Sequence, residues 1–231
     1  MLRFGQGHTR RANSVWPMRP GRLPLDQKIA ACEQAFRDAG LPAVFHMASI
    51  SAEPDLDDAL AAHGYAKVDK TSIRLAPLAG VGVEHQAGVV LEAALSAAWL
   101  DALAGFNRLT PTQSAAHRAI VGMTRHPTMF GAIRDGGAIA SVAAAVLQDR
   151  FVYFNAVATD PTKRRRGLSH QVMSALLAWA KQQGAAYAYL PVDKNNRPAL
   201  ALYNGLGFDT ELYRYHYRVH DARGTGRVPA A

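Results

Sequence analysis

Two stretches of this chain carry the same order of secondary-structure signals. Helix, strand, helix, a glycine–aromatic exit and a strand can be read over residues 25–78 and again over 167–219. Gly40 matches Gly184, "HGY" (63–65) matches "LGF" (206–208), and "NSVWP" (13–17) matches "NAVAT" (155–159), at a nearly constant offset of 142 to 144 residues. A fixed offset is the mark of a duplicated unit. Helices alternating with strands then call for a mixed α/β (α+β) architecture, a sheet flanked by helices.

Within the first copy, Leu25–Ala39 reads as an amphipathic helix with Ile29, Cys32 and Phe36 on one face, closed by Gly40. Strands are expected at 41–49 and 67–78, with a helix over 53–65 that opens on Pro54 and early carboxylates. "RRANSVWP" (10–17) is expected to form a further strand of this copy. The Gly-rich "LAGVGVEHQAG" (78–88) reads as a linker. Helices are then expected over Val89–Leu103 and 112–124, and strands over 128–134, 138–147 and 150–159. "RDGG" (134–137) signals a hairpin between the first two strands. In the second copy the helix Gly167–Gln182 has an apolar stripe of Leu168, Val172, Leu176 and Ala180. A strand (185–192), a short helix (198–206) and a strand (210–219) follow. The organisation expected is a degenerate half-domain at 1–79, a catalytic domain at 80–222 and a tail at 223–231.

Charge is concentrated at two places. The net charge of +8 divides into +5 over residues 1–30, −3 over 31–159 and +6 over 160–231. One cysteine, Cys32, excludes an intrachain disulfide and points to a reducing cytoplasm. The N-terminus is basic but has no apolar core of a secretory signal, and no apolar run is long enough to span a membrane. The nine histidines show no paired ligand spacing, so no metal is expected.

The densest charge, Lys163 to Arg166, lies between a strand and a helix, with Gly167 at the junction. The first turn of a helix has N–H groups without partners and a positive dipole end. Gly167 permits unusual dihedrals and close approach, small Ser169 keeps the approach open, and flanking arginines add forked donors. That combination suits a phosphate or diphosphate. It is not a nucleotide-hydrolase loop, because Gly-Lys-Ser/Thr is missing.

Arg164-Arg165-Arg166-Gly167-Leu168-Ser169 resembles the Q/R-x-x-G-x-G/A motif of the GNAT superfamily of acyl-CoA-dependent N-acetyltransferases. "NRPALALYNGLGF" (196–208) resembles that family's N-x-x-A-x-x-L-Y-x-x-x-G-F motif at Asn196, Ala199, Leu202, Tyr203, Gly207 and Phe208. The resemblance covers about residues 80–220, and its one departure is Ser169, where the family prefers Gly or Ala. It implies an acyltransferase that uses acetyl-CoA as co-substrate and needs no metal. It implies that Val157, Ala158 and Thr159 line the pantetheine arm, that Arg164, Arg165, Arg166, Gly167, Leu168, Ser169 and His170 surround the diphosphate, and that Asn196 bonds the pantetheine region. Tyr203 would reach the thioester sulfur and act as the catalytic acid, and the Val157 N–H would face the oxyanion.

The acceptor implied is a primary amine of a small molecule, such as an amino acid or polyamine, attacking directly through a tetrahedral intermediate. A non-catalytic acyl-CoA-binding or regulatory module and an acetyltransferase for a protein or peptide amine are the alternatives. No nucleic-acid or membrane partner is expected, and the chain is read as a cytoplasmic monomer or homodimer. Many relatives place a Glu base on the central strand, but "RFVYFNAVAT" has no carboxylate. Glu92, Asp101 and His117 are the candidates to act through water, each more readily explained as a surface residue.

Overall fold

A computed structural model describes residues 1–5, 7–82 and 86–220. Its helices and strands are α1 (Leu25–Asp38), β1 (Val44–Ala48), α2 (Leu56–Ala62), β2 (Ala66–Pro77), β3 (Val89–Glu92), α3 (Ala97–Asn107), α4 (Pro111–Gly122), β4 (Thr128–Asp135), β5 (Ala138–Gln148), β6 (Phe151–Thr159), α5 (Leu168–Gln182), β7 (Tyr187–Asp193), α6 (Arg197–Gly205) and β8 (Thr210–Val219). The expected tail at 223–231 lies outside the described residues, as do residues 83–85 of the expected linker.

The chain divides into two compact units. Of the described residues, the first holds those of Met1–Ser72, Asp193–Asn195 and Tyr213–His220. Its strands run in the order β1–β8–β2, with β1 antiparallel to β8 from Val44↔Val219 to Ala48↔Tyr215. Ile29, Phe36, Phe45, Leu56, Leu60 and Tyr65 form its core. The expected strand at 10–17 is a 3-10 turn over Arg10–Ala12 followed by a single parallel bridge from Val15 to Phe45. Asn13 accounts for the difference. Asn13 accepts from the N–H groups of Gly5 and Gly7 and donates to the carbonyls of Gly5 and Thr9, which curls the segment instead of extending it.

The second unit holds Ile73–Val192 and Asn196–Leu212, with strand order β2–β7–β6–β5–β4–β3. It is a mixed sheet, mostly antiparallel, flanked by helices. Only β6 and β7 of the registered pairs run parallel, as expected for strands joined by a helix. The Gly136–Gly137 turn, both residues at positive φ, closes the β4–β5 hairpin. On one face α5 buries Leu168, Val172, Met173, Leu176, Leu177 and Ala180 in the largest core cluster. Gly131 on β4 allows this close packing: a Cβ there would stand 2.9 Å from a Val172 methyl. Trp99, Leu100 and Leu103 of α3 form a second cluster with Phe130, Val142, Ala144 and Ala156.

The helix expected over Val89–Leu103 is two elements. Val89–Glu92 pairs with β4 as an edge strand, and α3 begins only after Ser96, whose hydroxyl accepts from the Trp99 N–H. The apolar run is continuous across both, so its periodicity hides the break. The paired valines and the serine cap are the local signals for it.

Candidate active site

Strand β6 holds the centre of the second unit, and it is bent. Val142 pairs with Ala158 and Ala144 with Asn155, so β6 carries one extra residue between those pairs. Ala156 absorbs the bulge at φ 53°, a left-handed conformation costly for a residue with a Cβ. Pairing between β6 and β7 covers Phe151↔Tyr187, Val152↔Ala188 and Tyr153↔Tyr189. Both strands continue, to Thr159 and to Asp193, beyond the last of these pairs. The backbone of β6 from the bulge onward therefore faces β7 without a registered partner there. Half-buried Val157, Ala158 and Thr159 lie on this stretch.

At the end of β6 the chain turns into α5. Arg165 has φ 60°, and the N-cap Gly167 has φ 75° with no side chain bonded to the helix end. A Cβ on Gly167 would meet no atom within 4 Å, so its dihedral, not crowding by the protein, asks for glycine. The first-turn N–H groups thus point outward from an uncapped, positive helix end. Leu168 turns its side chain into the core, which leaves its backbone N–H for this site. His170 is exposed, with Nδ1 3.5 Å from the Ser174 hydroxyl.

The four cations divide into two pairs. Arg166 donates twice to the Asp135 carboxylate, at 2.7 and 3.3 Å, and Lys163 lies 3.3 Å from the same group. The hydrogen bond from Arg166, then that from Lys163, lowers the Asp135 pKa. Arg164 and Arg165 are exposed and make no ion pair among the described residues. Behind them, the Thr159 hydroxyl lies 2.5 Å from that of Ser169 and 2.8 Å from that of Ser141, which also reaches the Ala158 carbonyl at 3.1 Å. Ser169 therefore ties the start of α5 to β6 and β5 by its hydroxyl, which Gly or Ala cannot do.

Asn196 is the N-cap of α6, its Oδ1 accepting from the Ala199 N–H at 3.2 Å. Its amide NH₂ is then the group left to donate outward. Tyr203, about two turns on, is 7% exposed and stands edge-on to Phe208. Burial, then the neighbouring Tyr153, pushes its phenol up to about 12, so it holds its proton at neutral pH. Of the carboxylate candidates for a base, exposed Glu92 sits on β3, three strands from β6, or about 14 Å at the usual strand spacing. Asp101 is exposed on α3 and His117 half-buried on α4. Asp135, Ser141 and the Ala156 bulge are the features that sequence reasoning did not single out. "NAVAT" has no glycine to signal the bulge.

The family described as "Probable histone acetyltransferase Rv0428c C-terminal" matches residues 1–218. An "Uncharacterized N-acetyltransferase YobR" of Bacillus subtilis is 27% identical over 223 residues, 95% of this chain and 89% of that protein. The "[Ribosomal protein bS18]-alanine N-acetyltransferase" of Escherichia coli is 32% identical over 88 residues, which span 38% of this chain and 59% of that protein. Among solved structures, a GCN5-related N-acetyltransferase from Kribbella flavida superposes with a TM-score of 0.61 at 20% identity, covering 90% of this chain and 80% of that one. With a bulged central strand that parts from its parallel neighbour, an uncapped helix start after it and a family match across nearly the whole chain, this protein belongs to the Rv0428c C-terminal acetyltransferase family and is an N-acetyltransferase of the GNAT superfamily.

Proposed function

We propose that this enzyme transfers the acetyl group of acetyl-CoA to a primary amine of a small molecule. The observation that carries the reading is the parting of β6 from β7 beyond Tyr153 and Tyr189, on the strand that leads into an α5 N-terminus without a side-chain cap. In this reading the diphosphate is held by the N–H groups of Gly167, Leu168, Ser169 and His170, with Arg164 and Arg165 closing over it. Arg166 contributes through Asp135, by fixing the turn. The pantetheine arm adds to β6 along Val157, Ala158 and Thr159 as an extra strand would, and the Asn196 NH₂ donates to it.

The chemistry needs no covalent enzyme intermediate. The neutral amine forms a bond to the thioester carbonyl carbon, and the Val157 N–H receives the oxyanion. Collapse breaks the C–S bond, and Tyr203 gives its proton to the leaving thiolate. The proton lost by the amine passes to water, since β6 carries no carboxylate. Residues 1–79 are read as a non-catalytic half-domain and 80–222 as the catalytic domain. Support comes from Leu60 at the position matching Tyr203, and Pro24 as helix N-cap where the second copy has Gly167.

A second reading, acetylation of a peptide or protein amine, is favoured by the names of two relatives, a histone acetyltransferase family and a ribosomal-protein alanine N-acetyltransferase. Thiol release from acetyl-CoA tests both, with amino acids, polyamines and alanine-starting peptides as acceptors. Turnover with small amines is expected. Turnover with peptides alone transfers the assignment to the second reading. Tight acetyl-CoA binding without release from any acceptor identifies a binding module.

A further inference from the structure

We infer that the acceptor is a primary amine on a long, flat apolar body, held by Asn155 at its nitrogen and by two rungs of aromatic side chains along its length. The inference rests on the acetyl-transfer reading above and names the substrate class of that same site. With the diphosphate at the α5 start and the pantetheine arm running back from Thr159 to Val157, the thioester points to where β6 and β7 rejoin. The last registered pair before the two strands part is Tyr153↔Tyr189, and the pair two residues back is Phe151↔Tyr187.

One face of this closure is filled and the other is open. Val152, Phe154, Ala188 and Leu190 are buried in the core that α5 covers. Side chains alternate along a strand, so Phe151, Tyr153 and Asn155 share the opposite face, with Tyr187 and Tyr189 beside the first two. Ring centroids are 5.3 Å apart in the Phe151–Tyr187 rung and 5.2 Å apart in the Tyr153–Tyr189 rung. The inner rung is half-buried, whereas Phe151 is 46% and Tyr187 38% exposed. Next to burial, Tyr153 is the cause of the raised Tyr203 pKa, so the inner rung starts beside the group assigned to protonate the thiolate. The platform thus runs from the reaction centre out to solvent.

The chemistry of the platform selects the body of the substrate. None of the four ring positions carries a charge, nor do Val146 and Gln148, which register with Tyr153 and Phe151 on β5. At these positions no carboxylate holds a polycation and no cation holds an acid. The rings instead favour stacked or edge-on aromatic partners, and covering them removes apolar surface from water. Asn155 supplies the polar end. It registers with Ala144 just before the Ala156 bulge, is half-buried, and its amide makes no hydrogen bond among the described residues. Its carbonyl oxygen has lone pairs for an amine N–H. The two rungs follow at about 7 and 13 Å from Asn155 at the usual strand rise. One polar anchor at the end of an apolar lining is the common composition of a small-molecule site.

The test compares spermidine, phenethylamine, its para-phenyl analogue and an alanine-starting tripeptide as acceptors by thiol release. kcat/KM should rise at least tenfold from spermidine to phenethylamine and at least threefold again with the second ring. Phe151→Thr/Tyr187→Thr, at exposed positions, should erase the second increment with acetyl-CoA affinity and thermal midpoint little changed. Phe151→Leu keeps an apolar side chain without a ring and should act in the same direction more mildly. Asn155→Ala should lower kcat/KM at least tenfold for all three amines alike. Both aryl amines are also titrated into the chain with and without CoA. If they bind without being acetylated, and the double variant weakens the longer one, the acetyl-transfer reading fails and the platform stands. Failure of CoA to bind is seen in the same titrations and counts against the cofactor reading alone. Spermidine or the peptide as the better acceptor, no binding of either aryl amine, or a gain from the second ring that is missing or survives the double variant overturns the inference.

Discussion

The two copies end their helices with the same hydrogen bonds and begin them differently. After α1, Gly40 donates to Arg37 and Leu41 to Phe36; after α5, Gly184 donates to Lys181 and Ala185 to Ala180. After α2, Gly64 donates to Ala61 and Tyr65 to Leu60; after α6, Gly207 donates to Asn204 and Phe208 to Tyr203. All four glycines are left-handed, with φ between 67° and 88°. Helix starts have diverged instead. Pro24, which has no N–H, precedes α1 at φ −52°, whereas Gly167 precedes α5 at φ 75°. Exits are where a fold is closed and starts are where an anion is bound. The copies thus share what builds the fold and differ in what we assign to acetyl-CoA.

Gly167→Trp gives the largest expected effect on that contrast. Acetyl-CoA affinity should fall more than 100-fold by calorimetry, with far-UV dichroism unchanged, while Pro24→Ala leaves affinity within twofold. An equal loss from both would mean that the helix starts are not functionally distinct.

The pair Leu60 and Tyr203 comes next. Tyr203→Phe should lower kcat about 10- to 100-fold with KM nearly constant, the expectation for a lost general acid. Leu60→Ala, at a fully buried position, should cost about 2–5 kcal/mol in denaturant unfolding and leave acetyl-CoA affinity unchanged. If Tyr203→Phe raises KM and spares kcat, the residue binds and does not protonate.

His46 sharpens the comparison further, because the offset between the α1 and α5 exits matches it with Leu190. It is 2% exposed and stacked on Trp16 at 3.8 Å. Burial lowers its pKa from 6.5 to about 3. The unfolded chain takes up this proton below pH 6.5 and the folded chain does not. Stability from the neutral imidazole is therefore present above pH 6.5 and drains away as pH falls toward 3. Between pH 7 and 4.5 the loss should be about 2–3 kcal/mol. Urea midpoints across that range check it, and His46→Gln should flatten the acid slope.

The smallest effect belongs to Arg166→Ala. Arg166 is exposed and its partner Asp135 only half-buried, so the thermal midpoint should barely move, and acetyl-CoA affinity should fall less than in Arg164→Ala/Arg165→Ala. The reverse ranking would place Arg166 on the diphosphate itself.

Most of this fold could be read from local signals. The Thr210–Val219 strand, the "RDGG" hairpin and the α5 stripe each depend on a pattern contained within a few residues. Gly167 and Tyr203 were legible for the same reason, as members of short motifs. The edge strand β3 was not, since the helix-like run "VVLEAALSAAWL" masks it. Non-local facts left no trace either. Ala156 bulges because of its neighbours on β5, and Asp135 meets Lys163 and Arg166 only once the β4–β5 hairpin has formed. Asp69, left-handed at φ 52°, pairs with Arg10 from far earlier in the chain, a contact no local pattern shows.

The β1–β8 ladder bears on the order in which the chain is made. Val44 leaves the ribosome early, but its partner is Val219. Until the second copy has been synthesised, the edge of β1 that β8 will cover stays open, while the opposite edge has only the bridge from Val15. Translation of this protein therefore holds an early strand in waiting, exposed to pairing with other nascent chains. A stall or a nonsense mutation before β8 leaves that edge uncovered, and the truncated product becomes a substrate for chaperones and proteases.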